Sequence, residues 1–178
     1  MTEERNVSLL ISARDIAGRV TGMAQDIAGS VPPDLVIVAL LRGSFVFVSD
    51  LIRALHWLKM RPQIDFMTLS SYGERTTSSG AIEIHRDISE SVKGRDVLIV
   101  DDILESGRTL AFARNLIKER GAKSIKIAVL LEKPGKCKTD VRPDFVGFTI
   151  EDQFVVGYGL DYANYYRELP YIGVIDVN

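Results

Sequence analysis

Cysteine and histidine, the residues that most often build metal sites, are scarce in this chain. Cys137 is the single cysteine among 178 residues, and there are two histidines. One thiol excludes an internal disulfide and any site built from several thiolates, which favours a reducing compartment. Apolar runs of membrane-spanning length are also missing, and the charged start MTEERNVSLLISARD lacks the apolar core of a signal peptide. We therefore expect a cytoplasmic protein with no membrane partner.

An excess of either charge is missing as well. The 22 Lys and Arg residues nearly balance the 24 Asp and Glu residues, so the formal net charge is -2. The field of the whole molecule is therefore weak, and composition predicts no nucleic-acid partner. The apolar share of 46% is ample for one hydrophobic core, and we expect residues 1–178 to form a single domain.

Apolar strand patterns alternate with helical patterns over most of the chain. Strands are predicted at 35–41, 64–69, 96–100 and 125–131, with a return strand near 82–84 and helices at 12–29, 45–57 and 107–120. This alternation predicts an α/β fold with a central, mostly parallel sheet flanked by helices. The later segments FVGFTI, FVVGYGLDYANYY and YIGVI favour short antiparallel strands in a small hood. We expect a core at about 31–131 and a hood at about 132–178, with an amino-terminal contribution left open.

The stretch VLIVDDILESGRTL, residues 97–110, places acids beside a turn suited to phosphate. Ligands of parallel sheets bind beyond the carboxyl ends of the strands, where helix N-termini present free N–H groups. Asp101 and Asp102 suit the hydroxyls of a sugar and tolerate a nearby Mg²⁺, whereas the segment 105–109 suits a terminal phosphate. A phosphoribosyl pyrophosphate would satisfy all these groups together.

The same stretch resembles the signature of the type I phosphoribosyltransferases. Residues 131–169, together with LLRGS and SSYG, are similar to the hypoxanthine-guanine members of that family. The resemblance implies the type I phosphoribosyltransferase fold with a hood over the site. It also implies a Mg²⁺-dependent purine salvage enzyme that joins the phosphoribosyl group to N9 of hypoxanthine or guanine and releases pyrophosphate. Homodimers or homotetramers are typical of the family.

The resemblance also implies which residues bind the donor. The loop for its 5-phosphate is Glu105, Ser106, Gly107, Arg108 and Thr109. Asp101 and Asp102 hold the ribose hydroxyls and, with Asp161, bind the metal. The contacts to pyrophosphate are Arg42, Gly43 and Arg167, and a non-proline cis peptide precedes Arg42.

On the purine side, the resemblance assigns specificity to Lys133. An ammonium can only donate, so it suits the 6-oxo group of hypoxanthine or guanine and opposes the 6-amino group of adenine. Phe154 stacks on the base, and the Val155 backbone contacts its edge. Asp161 also belongs to this purine-side group. The lid residues are Ser71 and Tyr72, which close because water would capture an oxocarbenium-like centre.

Glu105 departs from the family pattern, which usually has Asp at this position. The family residue is the base that accepts the N7 proton as N9 attacks C1′. Glu is one methylene longer, so its carboxylate must fold back or the geometry changes. We expect Glu105 to be the general base because the proton needs an acceptor. Arg108 likewise replaces a more typical Lys.

Two other functions stay open at this stage. One is a pyrimidine-type regulator that senses nucleotides in the same pocket and binds RNA. Lys133 and Phe154 suit a purine instead, and the acidic composition gives RNA little to hold. The other is a scaffold that has lost its chemistry, which the intact motif opposes. The preference among hypoxanthine, guanine and xanthine depends on backbone carbonyls that side-chain identities do not reveal.

Overall fold

The computed structural model describes residues 6–71 and 82–176. Its elements, in chain order, are β1 (Val7–Ile11), α1 (Ala13–Ala28), β2 (Val36–Leu41), α2 (Phe45–Trp57), β3 (Gln63–Ser71), β4 (Ile82–Arg86), β5 (Asp96–Leu104), α3 (Arg108–Glu119), β6 (Ser124–Glu132), β7 (Phe145–Thr149), β8 (Val155–Val156) and β9 (Ile172–Ile175). Among the described residues, no helix combines the length and apolar character needed to cross a bilayer.

A six-stranded sheet forms the centre of the molecule, in the order β4-β3-β2-β5-β6-β7. Five of the strands run parallel, and β4 pairs antiparallel with β3 at one edge. The predicted α/β architecture with a mostly parallel sheet is confirmed. The continuous apolar run of β2 is buried because helices cover both faces of the sheet.

Alternate residues of the central strands face different helices, as the two-residue period of a strand requires. One core cluster joins α1 and α2 to the sheet through Ile16, Met23, Phe47, Leu51, Ile37, Ala39, Leu98 and Val100. The opposite cluster joins α3 to it through Leu110, Ala113, Ile117, Val36, Val38, Leu40 and Ile99. The helices therefore hold the strand ends rigidly from both sides.

A separate three-stranded antiparallel sheet has the order β1-β9-β8. The strand at the amino terminus pairs with the last strand, and Val7 lies opposite Ile175. The prediction that FVGFTI forms a short antiparallel strand was wrong, because β7 pairs parallel with β6 in the central sheet. β7 adds to the edge of the sheet that β6 would otherwise form. The local sequence of a strand does not reveal which strand it will pair with. The boundary between core and hood near residue 131 stays a prediction.

Helix ends follow the local signals in the sequence. The Ser12 side chain accepts a hydrogen bond from the Asp15 backbone at the start of α1, and Gly29 caps its end. Gly121 follows α3 with a φ of 82°, in the left-handed region that favours glycine. Each signal therefore stops or starts a helix where it was expected to.

Candidate active site

The order of the central sheet creates a crevice between β2 and β5. From β2 the chain continues to β3 on one side, whereas β5 lies on the other side of β2. In open parallel sheets such a reversal point is where ligands bind, beyond the carboxyl ends of the strands. The β2–β5 pairing ends at Ala39 and Val100. The two strands therefore separate just before the predicted site residues that follow each of them.

The turn after β2 lies directly against the acidic pair of β5. The peptide bond between Leu41 and Arg42 is cis, which confirms the expectation for this position. Gly43 is essential to the approach, because a Cβ atom built on it would lie 1.6 Å from Oδ2 of Asp102. Arg42 itself is exposed, and its carbonyl accepts a hydrogen bond from the Phe45 backbone N–H at 3.3 Å.

A second loop, residues 157–169, closes on the same turn. A Cβ atom on Gly159, whose φ is 101°, would lie 2.2 Å from the carbonyl oxygen of Gly43. Arg167 donates to the Gly159 carbonyl at 2.5 Å and pairs with Asp161 Oδ1 at 2.6 Å. The other Asp161 oxygen accepts from the Asn164 backbone N–H at 2.7 Å. Arg167 and Asp161 are thus held together beside the predicted pyrophosphate turn.

The acidic pair itself is electrostatically strained. Asp101 and Asp102 are half-buried near the end of β5, which continues to Leu104 because its pairing with β6 persists after its pairing with β2 stops. Burial, with the adjacent Asp102 charge, holds the pKa of Asp101 well above its usual range. Burial also raises the pKa of Asp102, and the Arg167 charge opposes that rise. Such a pair would be stabilised by a cation or by hydroxyl donors.

A pocket of about 130 Å³ opens between the acidic pair and the start of α3. Its lining residues are Asp101, Ile103, Leu104, Glu105, Ser106, Gly107, Thr109 and Leu110. The helix begins at Arg108, so its first backbone N–H groups have no partner within the helix, and Thr109 and Leu110 of its first turn line the pocket. The structure therefore brings four of the five predicted phosphate-loop residues, all except Arg108, to one pocket at the start of a helix, the kind of place where proteins often bind anions.

Only glycine fits at position 107, because the loop behind it is packed closely. Its φ is 75°, and a Cβ atom there would lie 2.5 Å from Thr139 Oγ1 and 2.7 Å from Cys137 Sγ. The Lys138 backbone N–H also donates to the Ser106 carbonyl at 2.9 Å. The single cysteine of the chain is thus a packing group behind the phosphate loop, a role for which the sequence carried no signal.

Lys133, the predicted specificity residue, lies next to Glu105, the predicted base. Its backbone N–H donates to the Leu104 carbonyl at 3.0 Å, so the end of β6 is fixed beside the end of β5. Its side chain is only 7% exposed, and the ammonium lies 3.4 Å from Glu105 Oε1. The ammonium also lies 3.6 Å from Oδ1 of Asp152, a residue that sequence reasoning missed. No motif marks Asp152, because only the fold returns it to Lys133.

The aromatic predicted to stack on a base is available for that role. The Phe154 side chain is 45% exposed, and its ring meets the Tyr162 ring edge to face at 5.7 Å. Val155 is buried in β8, opposite Val174. Of the predicted lid, Ser71 is the last residue of β3, whereas Tyr72 lies outside the described residues.

The predicted metal ligands do not form a cage of their own. Within residues 6–71 and 82–176, no group of three or more His, Cys, Asp or Glu side chains could hold a metal ion. Mg²⁺ commonly keeps several waters and is held by one or two carboxylates together with substrate phosphates. The strained pair of Asp101 and Asp102 fits that mode of binding. A role for Asp161 as a further ligand stays a prediction.

Comparison with known proteins gives one consistent result. The model of the phosphoribosyl transferase domain matches residues 10–163. The hypoxanthine-guanine phosphoribosyltransferase of Bacillus subtilis (strain 168) is 46% identical over 169 residues, which are 94% of this chain and 92% of that protein. The hypoxanthine phosphoribosyltransferase of Escherichia coli (strain K12) is 42% identical over 178 residues, with 97% of each chain covered. A crystal structure of a hypoxanthine phosphoribosyltransferase from Staphylococcus aureus has a TM-score of 0.88 and 40% identity, and the match covers 95% of this chain and 91% of that one.

These similarities to the three named proteins extend over more than nine tenths of this chain. The alternative of a pyrimidine-type regulator finds no support among the relatives described above, which are named as hypoxanthine or hypoxanthine-guanine enzymes. The chain therefore belongs to the phosphoribosyl transferase family, among its hypoxanthine(-guanine) phosphoribosyltransferases.

Proposed function

We propose that this chain is a purine salvage enzyme. It transfers the 5-phosphoribosyl group from phosphoribosyl pyrophosphate to N9 of hypoxanthine and of guanine, and it releases pyrophosphate. The observation that carries the proposal is the meeting of three elements at one crevice. The acidic pair Asp101 and Asp102 lies between the Arg42–Gly43 turn and the helix end at Arg108. That order matches a ligand with a phosphate at one end, sugar hydroxyls in the middle and pyrophosphate at the other end.

The proposed reaction uses these groups in sequence. The helix end anchors the 5-phosphate, and the acidic pair accepts hydrogen bonds from the ribose hydroxyls. The C1′–oxygen bond breaks, the electron pair leaves with pyrophosphate, and N9 of the base bonds to C1′. Glu105 accepts the proton from N7, and the Lys133 ammonium donates to the 6-oxygen. Arg42 and Arg167 stabilise the departing pyrophosphate, and Phe154 holds the ring of the base.

Mg²⁺ belongs to the proposal as the partner of the carboxylates. Asp101 and Asp102 would hold it with the donor, and Asp161 is a third candidate ligand. When bound, the ion neutralises charge that develops on the leaving group. A cytoplasmic location and a homodimeric or homotetrameric assembly are also part of the proposal. Sedimentation of the purified protein tests the assembly.

A steady-state assay tests the proposal directly. Purified protein is mixed with phosphoribosyl pyrophosphate and Mg²⁺, and hypoxanthine, guanine, xanthine or adenine is added in turn. We expect pyrophosphate and the matching nucleotide with hypoxanthine and guanine, and no product with adenine, because the Lys133 ammonium cannot accept from a 6-amino group. Failure to release pyrophosphate with any 6-oxopurine would refute the proposal.

A further inference from the structure

Lys133 carries a charge that the fold has removed from water. Its side chain is only 7% exposed, whereas its two acidic partners, Glu105 and Asp152, are 51% and 53% exposed. A buried ammonium is costly unless opposite charges lie close to it. The position of these two carboxylates therefore decides where the Lys133 ammonium points.

One of the two partners loses its charge during the proposed reaction. Glu105 becomes neutral when it accepts the N7 proton. At that moment Asp152 is the remaining carboxylate that the structure places beside the Lys133 ammonium, at 3.6 Å. We infer that Asp152 is a positioning residue, which holds the Lys133 ammonium directed at the purine 6-oxygen while Glu105 is protonated. This inference rests on the proposed function.

The surroundings of Asp152 suit this role. Its Oδ1 faces Lys133, and its Oδ2 pairs closely with Lys136, so the carboxylate is fixed from two sides. The Lys136 ammonium, with a further contribution from Lys133, holds the pKa of Asp152 below its usual range. Asp152 therefore stays ionised when the reaction is run near neutral pH. It also lies two residues before Phe154, so one short segment carries both the charge partner and the proposed stacking ring.

The test compares the Michaelis constants of the two substrates in D152N. We expect kcat/KM for hypoxanthine to fall roughly tenfold, while KM for phosphoribosyl pyrophosphate changes less than about twofold. D152E keeps the carboxylate and is expected to recover most of the loss. D152S is measured in parallel, so that the result does not depend on the folding of one variant.

One control variant separates charge positioning from a general effect of removing a carboxylate. D140N removes a carboxylate that is 81% exposed and paired with Arg114. It is expected to keep kcat/KM for hypoxanthine within about twofold of the unmodified enzyme, as exposed pairs usually contribute little.

The possible results divide clearly. The inference is overturned if D152N and D152S leave kcat/KM for hypoxanthine unchanged, if KM for phosphoribosyl pyrophosphate rises equally, or if D140N reproduces the loss. An unmodified protein that forms no nucleotide at all would instead overturn the proposed function. The two failures are therefore distinguishable in one set of assays.

Discussion

At the scale of single residues, close contacts explain why glycine occupies two positions of the candidate site. Gly43 has no room for a side chain because Asp102 occupies the space, and Gly107 has none because Thr139 and Cys137 do. The resemblance to a family predicted a binding role for both glycines. The structure supplies the physical reason why no larger residue fits at either position. Glu105 is the residue whose identity departs most from the expected pattern, and it lies close to Lys133.

Replacing Glu105 separates proton transfer from donor binding. E105Q keeps the shape of the side chain but cannot accept the N7 proton, so we expect kcat to fall on the order of 10²-fold or more. KM for phosphoribosyl pyrophosphate should change little. E105D, which restores a carboxylate one methylene shorter, is the matched control and should retain activity. An equal loss of donor affinity in E105Q would mean that the residue organises the turn instead.

Asp101 is predicted to lower stability for the sake of binding. Its pKa is raised in the folded state, so the protonated form is favoured there. The protein therefore loses stability as pH rises from the ordinary pKa of Asp, about 3.9, through the raised value. D101N is neutral at every pH and should raise the melting temperature near pH 7. The gain should vanish below about pH 4, where Asp101 is protonated in both states. A melting curve of D101N that matches the unmodified protein near pH 7 would contradict this account.

At the scale of elements, local signals set the helix ends, whereas strand partners come from distant segments. The cap at Ser12 and the stop at Gly29 were readable because each acts within one turn of α1. The placement of β7 could not be predicted from the sequence, because a loop with no strand pattern separates it from its partner β6. Register also hid the extent of β5, which reaches Leu104 only because β6 continues beside it.

Two glycine substitutions test how tightly β7 packs on β6. A Cβ atom on Gly147 would lie 2.4 Å from the Leu130 carbonyl oxygen, so G147A should push the strands apart and destabilise the protein by about 1–3 kcal/mol. Gly18 lies in α1 with no atom within 4 Å of such a Cβ, so G18A is the control. It should raise stability by about 0.5–1 kcal/mol, since Ala loses less backbone entropy in a helix. Denaturant unfolding of both variants gives these values, and a neutral G147A would show that the strands can separate at no cost.

At the scale of the whole molecule, the crevice exists because several distant parts of the chain share one edge of the sheet. The turn after β2, the end of β5 and the loop 157–169 are contributed by separate thirds of the chain. Arg19 of α1 donates hydrogen bonds to the carbonyls of Val146 and Gly147 in the edge strand β7. Pairing of β1 with β9 joins the two ends of the described chain in one small sheet. Binding across this crevice should therefore stabilise the whole fold.

Thermal unfolding with the donor measures that coupling. Phosphoribosyl pyrophosphate with Mg²⁺ at about 100 times its Kd should add about 2.7 kcal/mol to the free energy of unfolding and raise the melting temperature accordingly. The melting temperature of the double variant D101N/D102N should respond far less to the donor than that of the unmodified protein. Mg²⁺ alone is the control for metal binding. An equal rise in the double variant would place the donor somewhere other than this crevice.

The sequence by itself determined the class of fold and the helix ends, because those features depend on residues within a few positions of one another. Its resemblance to a family also predicted the roles of the candidate site residues before their geometry was known. Only the tertiary structure decided that Asp152 meets Lys133, that Cys137 supports Gly107 and that β7 extends the central sheet. Those contacts join segments that are far apart in the chain or lack any local pattern, and their energies depend on burial and distance that a linear sequence does not express.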